Sequence, residues 1–242
     1  MSKRFKGKTC VYCNQRKSIR QGDHVFAREF FLEDERSNLI KVPACDLCNN
    51  EKSKIEHYLT AVLPFGGRHV DAELNLSTKV RSRLNKNIKL HKHLASNRGY
   101  LQGDPTNGES GHAMVLPFDG EIYAKLFEYI LKALVWHHWG MYIEKKTFLY
   151  STSLSKFGEE LFEKHIFSLR CENRITNVLG KNTFRYTGIQ VPGNKQITFW
   201  LFEVYNGLVT AEENAFLEEY SDCLLAMSGD KKTIDSFAKL FD

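Results

Sequence analysis

The sequence predicts an α+β chain: an N-terminal unit of knuckle, hairpin and helix, followed by a helical and antiparallel-β C-terminal domain. Three observations predict it. Two CxxC pairs, Cys10-Val11-Tyr12-Cys13 and Cys45-Asp46-Leu47-Cys48, bracket a short segment that is apolar at Val25, Phe26, Phe30, Phe31 and Leu32. A helical pattern starts right after the second pair and ends at Pro64-Phe65-Gly66-Gly67. Beyond residue 120, a long helix-periodic stretch gives way to alternating aromatic and β-branched residues.

The elements follow in order. Leu39 to Val42 reads as a short strand stopped by Pro43. From Asp46, Leu47, Ile55, Tyr58, Leu59 and Val62 share an inner helix face, and Asn49, Lys52, Ser53 and Glu56 fall on a neighbouring one. Lys79 to His93 contains no acid, and Val80, Leu84 and Ile88 recur every four residues, which predicts one amphipathic basic helix. Tyr100 to Ser110 is rich in Gly, Asn, Asp and Pro and reads as a linker. Glu121 to Trp139 is the strongest helix of the second half, and Leu161 to Leu169 predicts another. Thr183 to Leu208 predicts antiparallel strands turned at Pro192-Gly193-Asn194 and Asn206-Gly207. Glu213 to Leu225 and Thr233 to Leu240 are expected as closing helices. The boundaries this implies are 1–68 for the cysteine-bearing unit, 69–110 for the basic helix and linker, and 111–242 for the C-terminal domain.

Composition narrows the function classes. Hydrophobic residues make up 42% of the 242, enough for a packed core. The N-terminus is basic without an apolar run behind it, and no window reaches a membrane-spanning length, so the expectation is a soluble cytoplasmic protein with no membrane role. In that compartment CxxC pairs favour metal over disulfides. Cys171 and Cys223 stand alone and are expected to pack as small apolar residues. Residues 1–100 hold 20 Lys+Arg against 10 Asp+Glu, while residues 101–242 hold 14 against 19. The positive half is the one that carries the paired cysteines, which suits a polyanionic partner.

The chemistry follows from residue types and spacing. Cys10, Cys13, Cys45 and Cys48 supply four thiolates, the ligand set of a structural Zn²⁺. The 31 residues between the pairs fit a hairpin plus loop. Inside that loop lies Asp23-His24, and Asn49 follows the last thiol. Asp23 offers a carboxylate and Asn49 a carboxamide oxygen to a hard divalent cation such as Mg²⁺ or Mn²⁺. His24 is the candidate general base. Zinc would then set the distance between Asp23 and Asn49, in a one-metal scheme for phosphodiester hydrolysis. Adjacent strand residues point to opposite faces, so Asp23 and His24 are expected to do different jobs. His137 and His138 project about 100° apart on a helix and are read as packing residues, not as a second metal site.

These residues resemble the HNH endonucleases, the ββα-metal nucleases built on a treble-clef zinc finger, and most closely their zinc-bearing bacterial and phage members. The resemblance lies in Cys-x-x-Cys, Asp-His and Cys-x-x-Cys-Asn, in His24-Val25-Phe26-Ala27-Arg28, and in Val42-Pro43-Ala44-Cys45-Asp46-Leu47-Cys48-Asn49-Asn50-Glu51-Lys52-Ser53. It covers about a quarter of the chain. It implies that His24 is the general base, that Asp23 and Asn49 bind the catalytic metal, and that a middle Asn orients the base. Asn38 is the candidate for that last role, seven positions before Cys45. Ala27 stands where the family usually has Pro. Lys52 is a candidate phosphate contact, to be weighed against a solvated lysine on a helix, and Arg28, Lys79, Arg81, Arg83, Lys86 and Lys89 are candidate nucleic-acid contacts.

The expected function is a metal-dependent endonuclease acting on DNA, of a bacterial defence or restriction type. Cutting both strands of a duplex takes two active sites, which points to a homodimer. The alternatives are a zinc-dependent nucleic-acid-binding module without catalysis, and a nuclease directed at RNA. Asp23-His24 favours catalysis, because pure binding does not require it.

Overall fold

A two-stranded hairpin opens the chain, clamped between two cysteine knuckles and one long helix. The structure, a computed structural model, describes residues 3–15, 19, 22–67, 69–102, 112–167, 173–207 and 220–241. The hairpin pairs β1 (Gly22–His24) with β2 (Lys41–Pro43), Asp23 opposite Val42 and His24 opposite Lys41. β2 begins two residues later than its apolar pattern predicts, although Val25 N–H still donates to the Ile40 carbonyl beyond the ladder. Helix α1 (Asp46–Val62) follows and closes in a 3-10 turn, Leu63–Phe65, that carries Pro64.

The inner face of α1 differs from the sequence expectation at its start. Leu47 is 63% exposed, whereas Leu59 and Val62 are buried and Ile55 and Tyr58 pack on the core. Cys48 must face the other sulfurs, so the buried stripe runs through Cys48, Lys52, Ile55 and Leu59 at helical spacing, and Leu47 lies about 100° away.

The basic segment is two helices, not one. After α2 (Val70–Asn75) and a π-helical turn at Leu76–Val80, α3 (Arg81–Lys86) stops at Asn87, and α4 (Ile88–Ser96) starts anew. The Asn87 side chain accepts from Leu90 N–H at 3.2 Å, a helix cap that its polar amide favours over continuing the spiral. Ile88, expected on the buried stripe, is therefore 60% exposed. The expected linker lies partly outside the described residues. Its flanks form a hairpin, β3 (Gly99–Gln102) with β4 (His112–Val115).

Helix α5 (Gly120–Trp139) matches the expected long helix. Asp119 caps its start by accepting from Ile122 N–H, and left-handed Gly140 ends it. It packs on a five-stranded antiparallel sheet in the order β5-β9-β8-β7-β6. The strands are β5 (Phe148–Ser155), β6 (Ile175–Leu179), β7 (Phe184–Gln190), β8 (Thr198–Val204) and β9 (Tyr220–Gly229). β7 and β8, with a turn at Gly193 between them, meet the expectation for residues 183–208 up to Gly207, and Gly207 N–H closes a turn on the Val204 carbonyl. The helix expected over 213–225 is not found where it is described: residues 220–225 belong to strand β9. A continuous apolar run reads the same in a buried strand as in a buried helix. The helix expected at 161–169 starts earlier, as α6 (Lys156–Phe162), because the Ser155 side chain caps it by accepting from Gly158 N–H, and it continues as a π-helical turn, Glu163–Phe167. α7 (Lys231–Phe241) closes the chain as expected.

Both faces of the sheet are covered. Trp200, Phe202 and Val204 of β8 face α5 and the N-terminal unit, while Phe199 and Leu201 face a second cluster with Phe162 of α6 and Ile234 of α7. Phe26, Phe30 and Phe31 all pack on Phe184 of β7, so one buried cluster runs from the cysteine-bearing unit into the sheet. Gly188 sits directly opposite Trp200, and a methyl group there would overlap the indole. Trp200 is wholly buried and cannot swing aside. Gly188→Ala is expected to destabilise the protein by about 1–3 kcal/mol, read as a lower urea midpoint at unchanged slope.

Candidate functional site

The site begins with the sulfurs. Asn14, in a left-handed conformation, turns the first knuckle back so that its N–H reaches the Cys10 carbonyl at 2.9 Å. Val11 N–H donates to the Pro43 carbonyl at 3.0 Å, which docks that knuckle on β2. In the second knuckle Cys45 is the N-cap residue of α1, and Asn49 N–H donates to its carbonyl at 2.9 Å. The ligand atoms of Cys10, Cys13, Cys45 and Cys48 all lie within 4.8 Å of one another. Cys13 and Cys45 Sγ are 3.9 Å apart. A tetrahedron with metal–sulfur bonds of about 2.3 Å has edges of about 3.8 Å, so this spacing fits Zn²⁺. Burial pushes the Cys10 and Cys48 thiols up; backbone N–H groups of the two knuckles oppose this at Cys10, whereas the neighbouring cysteines add to it at Cys48. Four thiolates this close are stable together only around a cation, which deprotonates them on binding. The cluster can therefore hold a metal ion such as zinc, as the sequence expects, and none of these cysteines is in a disulfide.

Next to the sulfurs lies a buried charge network. Asp23, 8% exposed, accepts on Oδ2 from the Tyr12 hydroxyl at 2.5 Å and lies 3.2 Å from Lys52 Nζ through the same oxygen. Lys52 is 0% exposed. Its ammonium also donates to the His24 carbonyl at 2.8 Å and to Glu56, one turn along α1. Burial pushes the Glu56 carboxyl up to about 7 against the pull of Lys52, with Asp23 adding to the rise. The solvent-facing phosphate contact expected of Lys52 is thus corrected: an ammonium with no exposed surface cannot reach a nucleic acid.

His24 is half-buried on the opposite side of β1. Burial pushes its imidazole down to about 4, and Lys41 across the ladder, Arg28 and Lys52 add to this while Asp23 opposes it. It is therefore neutral at neutral pH, the form a general base needs. Lys41 and Arg28 are both exposed beside it. Asn49 is half-buried on α1, one turn before Lys52, on the face whose lysine meets β1. Asn38 is exposed in the turn before β2, and among the described residues it makes no hydrogen bond to His24.

The predicted cationic contacts divide into two groups. Arg81, Lys86 and Lys89 are exposed, as a nucleic-acid surface requires. Arg83 is instead a strut: its guanidinium donates to the Thr60 carbonyl at 2.8 Å and to the Glu29 carbonyl at 2.8 Å, with the Glu29 carboxylate at 3.0 Å. Lys79 Nζ reaches the Phe31 carbonyl at 3.4 Å. A guanidinium spent on backbone carbonyls has few donors left for phosphate.

The sequence places Glu56 on one helix face with Lys52 but assigns no role to it, to Tyr12 or to Lys41. Their signal was available only in part: Lys41 follows from hairpin register, and Glu56 from its spacing four residues after Lys52. In the C-terminal domain His138 Nε2 lies 3.0 Å from the buried Tyr186 hydroxyl and its ring packs near Trp200, so the packing reading holds. Cys223 is buried in the second cluster as expected, and Cys171 lies outside the described residues. Among the described residues no helix is long and apolar enough to cross a membrane. No protein-family model, no curated protein and no solved structure matches this chain.

Proposed function

We propose that this chain is a nuclease that hydrolyses phosphodiester bonds in DNA, with His24 as its general base. One observation carries the reading: His24 stands on a strand that is held by the metal-competent knuckles through Tyr12 and by the buried Lys52 of α1. The resemblance to the HNH family is part of the same reading, and so is a treble-clef description of the knuckle, hairpin and helix. His24 takes a proton from water as the water oxygen attacks phosphorus; the bond from phosphorus to one bridging sugar oxygen breaks, and that oxygen leaves and takes up a proton from solvent. Lys41 and Arg28 suit the phosphates on either side of the base. Exposed Arg81, Lys86 and Lys89 suit more distant phosphates on the same strand.

Asp23 and Asn49 are hard oxygen donors on adjoining elements, the chemistry that Mg²⁺ or Mn²⁺ takes. Among the described residues the Asp23 carboxylate meets the Tyr12 hydroxyl and Lys52 through Oδ2, so a cation held by Asp23 would take its other oxygen. When bound, the cation stabilises charge on the leaving oxygen. Action in bacterial defence, a cytoplasmic setting and a homodimer for double-strand cutting belong to this proposal as well.

The test is plasmid cleavage by the purified chain with Mg²⁺ or Mn²⁺. His24→Ala is expected to lower the rate by about 10²–10⁴-fold while zinc content stays the same. A His24→Ala protein that cuts as fast as wild type removes the base assignment. The excess of cations in residues 1–100 equally suits a zinc-shaped module that only binds nucleic acid, or one that cuts RNA. Salt-dependent DNA binding with no metal-dependent cutting selects the first of these, and cutting confined to RNA selects the second.

A further inference from the structure

Asp23 is reached from both halves of the sulfur cluster. Tyr12 lies between Cys10 and Cys13 in the first knuckle, and Lys52 stands one turn beyond Cys48 on α1. Both deliver their polar atom to the same oxygen, Oδ2. Neither group is free to wander. The Tyr12 ring meets Tyr129 of α5 edge to face, with centroids 5.0 Å apart, and Lys132 Nζ lies 3.4 Å from the Tyr12 carbonyl. A lysine ammonium has three donors. Those of Lys52 meet Asp23, the His24 carbonyl and Glu56, so none remains for a substrate.

The terminal torsion of an aspartate is broad, and an unsupported carboxylate samples it freely. Two charge-assisted contacts on one oxygen select one orientation. We infer that Tyr12 and Lys52 are positioning residues: together they fix the Asp23 carboxylate by Oδ2 and present Oδ1 to a hard divalent cation, while Lys52 also anchors the backbone of His24. The metal-competent knuckles thereby set the orientation of the second site as well as its distance from α1. This assignment rests on the proposed function for the identity of the cation. Supporting groups behind a metal ligand commonly change metal affinity by about 10–100-fold when removed.

Tyr12→Phe is the cleanest variant, because it keeps the ring and its packing on Tyr129 and deletes only the hydroxyl. The measurement is Mn²⁺ binding by the zinc-loaded full chain, followed by electron paramagnetic resonance without substrate, with Asp23→Asn to locate the site. Tyr12→Phe is expected to bind Mn²⁺ about 10–100-fold more weakly than wild type at unchanged zinc content. Equal affinity overturns the inference, and so does a wild-type chain with no Mn²⁺ site that Asp23→Asn abolishes. A wild-type chain that binds Mn²⁺ there, loses it in Tyr12→Phe and cuts nothing supports the positioning role while removing the nuclease reading. Salt dependence tests Lys52 separately. The slope of log affinity for DNA against log salt should match wild type in Lys52→Met/Glu56→Gln, whereas a drop of about one marks a phosphate contact and overturns its assignment.

Discussion

Cys45→Ser is expected to release the metal and unfold the N-terminal unit. Cys45 is buried and supplies one of four sulfurs, so a single atom change removes a ligand. Zinc bound by structural cysteine sites contributes about 10–16 kcal/mol in isolated zinc-finger peptides, as much as the whole stability of a typical domain, about 5–15 kcal/mol. β1 and β2 are three residues each, so their own ladder contributes little. The expected outcome is zinc loss by elemental analysis together with a large fall in Tm, and chelation of the wild-type chain should do the same. Asp23→Asn should behave differently, keeping zinc and most of the stability, because Lys52 retains Glu56 as its partner. Equal melting of the two variants would count against separate structural and catalytic metal sites.

Lys52→Ala is the second large effect. It leaves Asp23 and Glu56 buried near each other with no cation between them. Breaking a buried ion pair from one side costs about 3–5 kcal/mol. The loss should depend on pH, with a definite sign. Burial already raises the Glu56 carboxyl to about 7, above its value in the unfolded chain. Proton uptake by Glu56 thus favours the folded state at low pH, and that contribution is lost as pH rises through about 7. Without Lys52 the Glu56 carboxyl needs its proton more, so the variant should lie closest to wild type near pH 5 and fall furthest behind at pH 8. Chemical denaturation at the two pH values checks this, and a pH-independent difference would show that the lysine acts by packing alone.

Much of this was legible from the chain, and the parts that were not have physical causes. The cysteine spacing located the sulfur cluster, because metal geometry tolerates few alternatives. β7 alternates over Phe184 to Thr187, and β8, buried on both faces, is marked as a strand by its aromatic and β-branched residues and by the turn signals at its two ends. β5 and β6 escaped notice because they are the sheet edges, half exposed and rich in Ser, Thr and Asn, with little apolar rhythm. β9 is apolar on both faces and looks like a helix to any periodicity count. At the site, Asp23, His24 and Asn49 lie on neighbouring elements as the sequence order implies. Lys52 was misread because lysines are almost never fully buried, and a Lys-Glu pair four residues apart on a helix ordinarily faces water. The hydroxyl of Tyr12 on Asp23 spans 11 residues through a knuckle turn, a contact no local pattern encodes.

The three phenylalanines after His24, Phe26, Phe30 and Phe31, give the chain a property that its modular sequence hides. All three are wholly buried, and each packs on Phe184, more than 150 residues further along. The unit that carries the site is therefore not a portable cassette. Cut out after residue 68, it would present a greasy, sticky flank where the sheet used to be, and grafting it elsewhere would require a new surface shaped to receive those rings.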